Sequence, residues 1–123
     1  MKRLCYWRDE NGASSAEFAI VLLPFTALIF AIIYGSLMYY ANQTLQYATE
    51  AAARCYSVDA GNCSTTAAVQ TYALNHYKGP NIGASFTAQA TGCGHTVTGT
   101  GSFPINVVVY SATLPMNSSA CFP

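Results

Sequence analysis

"NGASSAEFAIVLLPFTALIFAIIYGSLMYY", Asn11 to Tyr40, places one acid, Glu17, against an apolar run that contains no charge of its own. From Phe18 to Thr49 no residue is formally charged, and Phe18 to Tyr40 is broken only by Pro24, Thr26, Gly35 and Ser36. As a helix rising about 1.5 Å per residue this stretch would reach roughly 35 Å, enough for a hydrocarbon core of about 30 Å. Helices buried inside soluble proteins rarely stay apolar on every side for so long. The run therefore predicts a single membrane crossing.

Orientation follows from the basic residues. Lys2, Arg3 and Arg8 precede the run, and Arg54 is the first basic residue after it. The N-terminus should remain cytoplasmic and the rest should be exported. An ordinary secretory signal would share the basic start. However, its apolar region is shorter, and "YGSLMYYANQ" lacks an A-x-A cleavage site.

The whole chain has 123 residues and a formal net charge of +0. That length suits one domain, and the balance gives no field to attract nucleic acid. Charged residues make up 8%, and from Ala60 to Pro123 the only one is Lys78. Soluble proteins carry about 25%, so this composition suits a membrane or an assembly. Cys5 precedes the run, whereas Cys55, Cys63, Cys93 and Cys121 follow it. Four cysteines in a small exported domain read as two disulfides with three possible pairings. The sequential pairing, Cys55–Cys63 and Cys93–Cys121, is the one expected, and chain-entropy estimates give roughly 2.5 and 3.5 kcal/mol for the two loops.

Periodicity organises the remainder as an α+β chain. Ala41, Leu45, Ala48, Ala52 and Cys55 fall on one helical stripe, so one helix is predicted from about residue 14 to 56. Ser14 or Ser15 could cap its start, Pro24 should bend or loosen it, and Glu50 and Arg54 have the spacing of a surface ion pair. "SVDAGNC" (57–63) has turn chemistry, and "STTAAVQTYALNHYK" reads as a second helix with Ser64 as a possible cap and Val69, Tyr72, Ala73 and His76 on one face. Beyond Gly83 the period changes to two. "SFTAQAT" (85–91) should bury Phe86, Ala88 and Ala90; "HTVTGT" (95–100) is a weaker strand and "INVVVYSATL" (105–114) the strongest. "GTGSFP" reads as a loop. The sheet should be small, antiparallel and packed on the exported part of the long helix, with Cys93 and Cys121 tying the end of the first strand to the tail after the last.

Reaction chemistry is sparse. Between Ala41 and Pro123 the carboxylates are Glu50 and Asp59, so paired acids for acid–base work are not evident. There is no G-x-S-x-G elbow, no phosphate-cradling glycine motif and no C-x-x-C or H-x-x-x-H pair for a metal. The reading is a non-enzyme without cofactor or metal.

"GASSAEF" (12–18), directly before the apolar helix, resembles the prepilin processing motif of type IV pilins. The longer "GASSAEFAIVLLPF", with its aromatic after the acid, looks like the TadE-like pseudopilins of the tight-adherence (Tad) pilus system, as do "AAARCY" and a small Cys-bearing β-domain. Phe18 stands where the major pilins of that system usually have Tyr, which favours a minor component. The resemblance implies a leader of residues 1–12, cut between Gly12 and Ala13 by a membrane prepilin peptidase. A span of 13–40 and an exported domain of 41–123 would follow. Glu17, with Phe18 and Pro24 beside it on the helix, would act in assembly, paired with the new ammonium at Ala13 of a neighbouring subunit. Partners would be the peptidase, sister pilins, the Tad assembly machinery and the membrane, and the role one in pilus assembly and adhesion. The rival reading is a single-span anchored binding domain that takes no part in a pilus.

Overall fold

A computed structural model of the chain describes residues 10–123, so Lys2, Arg3, Cys5 and Arg8 of the expected leader lie outside the described residues. The elements are α1 (Glu10–Val58), α2 (Thr66–His76), β1 (Ser85–Thr91), β2 (Gly94–Val107) and β3 (Tyr110–Phe122). The fold is α+β, with one helix among the described residues long and apolar enough to cross a membrane. Internal contacts divide the chain into two units, one ending at Tyr34 and the other spanning Gly35–Pro123.

Helix α1 starts earlier than the cap signals predict. Neither Ser14 nor Ser15 ends it; the Ser15 hydroxyl instead donates to the Gly12 carbonyl at 3.0 Å, from inside the helix. Pro24 lies within α1 and supplies no amide hydrogen to the ladder. Two residues on, the Thr26 hydroxyl donates to the Leu22 carbonyl at 2.6 Å. From Ser14 to Tyr40 the described side chains are exposed, except that Tyr34 is half-buried.

The second unit is built on the stripe legible in the sequence. Ala41, Leu45, Ala48, Ala52 and Cys55 are all buried, joined by Thr49 and Ala53. Small side chains let another backbone come close, and β2 does so at Gly99. A Cβ there would lie 2.8 Å from the Thr49 hydroxyl oxygen and 2.8 Å from the Phe86 ring. Thr49 can be buried because its hydroxyl donates to the Leu45 carbonyl at 2.7 Å. Helix α2 adds Val69 and Ala73 to the core. Its cap is Thr65 rather than Ser64, and the Thr65 hydroxyl oxygen accepts the Ala68 amide at 3.2 Å, a cap worth about 1 kcal/mol.

The antiparallel sheet has the order β1-β2-β3. Its strands depart from the expected ones. "GTGSFP" is strand rather than loop, and "INVVVYSATL" is two strands joined by a turn at Val108 and Val109. Val107 pairs with Tyr110 across that turn, so β2 and β3 form one long hairpin within the three-stranded sheet. Neither valine has a positive φ, so the loop lacks the glycine or asparagine chemistry that marks most tight hairpins. β-Branched residues hid the turn.

Two expected placements also change. Phe86 and Ala88 are buried but Ala90 is exposed. Cys121 lies inside β3 opposite Thr96, not in a tail, so its bond joins the β1–β2 turn to the last strand. Replacing Gly99 by Ala should destabilise the fold by about 1–3 kcal/mol through overpacking. Gly92, with no atom near its missing Cβ, is the control. Denaturant unfolding of both full-length variants in detergent checks this: Gly99→Ala should lower the midpoint, and Gly92→Ala should lower it much less.

Candidate functional site

The motif residues lie on the first two turns of α1 and the helix beyond them. Gly12 is exposed, and a Cβ added to it would meet nothing within 4 Å. The fold around it does not require glycine. Glu17 is exposed, and among the described residues its carboxylate forms no ion pair. Phe18 follows at 67% exposure, and Ile20, Val21, Leu23 and Phe25 continue an uncovered apolar surface. Pro24 is part of it. Gly12, Glu17, Phe18 and Pro24 thus share one helix, and of these Glu17 alone carries a charge.

A carboxylate is costly inside lipid, about 3 kcal/mol at the centre of a span. A site of this kind can do two things: receive a cation from another chain, or remain at the polar edge of a bilayer. No described side chain close to Glu17 in sequence offers that cation; the nearest, Arg54, is far along α1. Glu50 and Arg54 are both exposed and form no ion pair, contrary to their spacing. Solvent screening and side-chain entropy leave such pairs worth little.

In the second unit the cysteines and the two histidine rings have contacts of their own. Cys55 is bonded to Cys63 and Cys93 to Cys121, the sequential pairing, with Cα separations of 5.8 and 6.5 Å. His76 Nδ1 is 2.9 Å from the Tyr72 carbonyl and its ring stacks on Tyr72. His95 packs against the Tyr56 ring at a centroid distance of 4.1 Å. Among the described residues no group of three or more His, Cys, Asp or Glu could hold a metal. A shallow depression of about 480 Å³ is lined by Tyr47, Glu50, Arg54, Asp59, Tyr72 and other residues. Of its two acids, Asp59 is engaged by its own loop.

Sequence reasoning read that loop as a plain turn. The Asp59 carboxylate accepts the Gly61 and Asn62 amides at 3.1 Å each and the Asn62 side-chain amide at 2.7 Å. The Asn62 side chain, then the Asn62 amide, holds the Asp59 pKa below the usual carboxylate value. The same carboxylate therefore organises the segment closed by Cys55–Cys63. A lowered folded pKa stabilises at pH values above the unfolded carboxylate pKa, and the benefit is lost as pH falls through the folded value. Asp59→Asn should accordingly lower the unfolding midpoint near neutral pH, and the gap to the parent should close as the pH falls through the lowered folded pKa. A gap constant across that range would contradict the assignment.

Sequence comparison bears on the helix. Residues 12–54 match the sequence model of the family described as TadE-like protein, a match covering less than half of the chain. No curated protein and no solved structure matches. The matched segment begins at Gly12, contains Glu17, Phe18 and Pro24, and ends at Arg54 one residue before the first disulfide. Over that segment the chain is TadE-like, consistent with a TadE-like protein of the Tad system.

Proposed function

We propose that this chain is a minor pilin, a pseudopilin, of a Tad-type pilus. A prepilin peptidase removes residues 1–12 by cutting between Gly12 and Ala13 on the cytoplasmic side. Residues 13–40 cross the inner membrane, and residues 41–123 form a periplasmic domain that can enter an extracellular filament and take part in adhesion. The role is structural, with sister pilins and the Tad assembly machinery as partners. The observation that carries this reading is the TadE-like match, which starts at the glycine five residues before Glu17, an acid with no ion pair among the described residues.

Cleavage and assembly are linked by charge. Trimming the leader creates an ammonium at Ala13, close in depth to Glu17. Pairing offsets part of the penalty of holding a carboxylate in lipid. Within one helix the two groups are a turn apart. Between neighbouring subunits the same pair would fix the axial stagger of packed helices. Gly12 suits a protease because an extended substrate binds most easily where side chains are small. Since Gly12 and Ala13 belong to α1, the peptidase must unwind the first turn.

Mass spectrometry of the membrane-extracted chain tests the reading directly. With the peptidase present the mature protein should begin at Ala13, and Gly12→Leu should leave Met1 in place. An intact leader on the parent chain under those conditions would leave only an anchored exported domain.

A further inference from the structure

We propose that the tip of the β2–β3 hairpin, Val107 to Tyr110, enters the bilayer from the exported side and makes a membrane contact separate from the span. The inference rests on the proposed span but not on leader cleavage or on a pilus.

Two contacts fix the course of β2 along the second half of α1. The His95 ring lies 4.1 Å from that of Tyr56, and Gly99 lies against Thr49. Four strand residues, about 13 Å, thus correspond to seven helix residues, about 10 Å. The strand descends toward the apolar end of the unit at about 2.6 Å per residue along the helix axis. Its pairing with β3 is unbroken from His95↔Phe122 to Val107↔Tyr110, so no bulge turns it aside. From Gly99 to the Val108–Val109 turn the descent is about 23–26 Å. From Thr49 to Tyr40, where the apolar run ends, it is about 13 Å. The tip therefore lies about 10 Å beyond Tyr40, at a depth where lipid begins.

The chemistry of that end matches. Val108 is fully exposed, Val109 is 95% exposed and Tyr110 64%. Hairpin loops in water favour Gly, Asn and Asp, whereas two bare valines beside a tyrosine suit an apolar medium with a polar edge. At the level of Tyr40 itself the order changes to polar. The Tyr40 hydroxyl donates to the Lys78 carbonyl at 3.1 Å, which brings the loop carrying the only charged residue after Asp59 to that level. Lys78 is exposed, placed to meet anionic headgroups. A cation at the headgroup level and an apolar tip below it follow the layering of a bilayer.

The test uses the full chain, one copy per nanodisc, with Trp7→Phe to remove the native tryptophan. Single tryptophans are then introduced as Val109→Trp, Val58→Trp and Leu37→Trp, and quenching by phosphatidylcholine brominated on its acyl chains is measured. Val109→Trp should be quenched several-fold more than Val58→Trp and to a degree similar to Leu37→Trp. Quenching of Val109→Trp no stronger than that of Val58→Trp, with Leu37→Trp strongly quenched, would overturn the proposal and leave the span intact. Absence of quenching at Leu37→Trp would remove the span and the proposal together. Peptide mapping of both disulfides in Val109→Trp confirms that the variant is folded.

Discussion

Between Phe18 and Tyr40, α1 presents apolar side chains that the described chain leaves uncovered, Tyr34 alone being half-buried. Water is a poor solvent for that surface; burying apolar area is worth about 25 cal/mol per Å². The surface must meet lipid, other helices, or both. This requirement governs the N-terminal half of the chain, and the scarcity of charge elsewhere is in keeping with it. From Phe18 to Tyr40 no charged residue interrupts this surface.

Beyond Tyr40 the same helix obeys a different rule. Its inner stripe is made of alanines around Leu45 and Thr49, which permits β2 to approach at Gly99. Cores of small side chains gain less from burial per residue, so covalent closure matters. One disulfide closes the α1–α2 connection, and the other ties the β1–β2 turn to β3. Asp59 orders the first of these loops through backbone amides. Burial pushes the Tyr77 phenol pKa up, with the Thr44 hydroxyl opposing it, in the segment where Tyr77 also donates to the Pro80 carbonyl at 2.6 Å. That segment leads from α2 into β1.

The helices were legible in the sequence because their signals are periodic. The stripe from Ala41 to Cys55 and the Val69–Ala73 pair are buried as their spacing predicts. The sheet was less legible for a definite reason. Val107, Val108 and Val109 have strong β propensity, so a turn at their centre leaves no trace in residue type, and one apparent strand is the end of a hairpin. Ser64 and Thr65 are both competent caps, and residue type cannot choose between them. Ala90 alternates correctly yet lies past the edge of the core. At the N-terminal site the sequence revealed the pairing of a glycine with an acid, but not that α1 would run through Gly12.

Glu17 links processing to assembly in the proposed function: an acid that no described cation pairs with would meet the ammonium that cleavage creates on a neighbouring subunit. Incorporation of Glu17→Gln into sheared pili, in cells where mass spectrometry verifies that its leader is removed, tests that link most directly. The account predicts a processed chain that remains in the membrane and is lost from the filament fraction, with Glu17→Asp retaining part of the parent's incorporation. Filaments that take up processed Glu17→Gln as readily as the parent would contradict it.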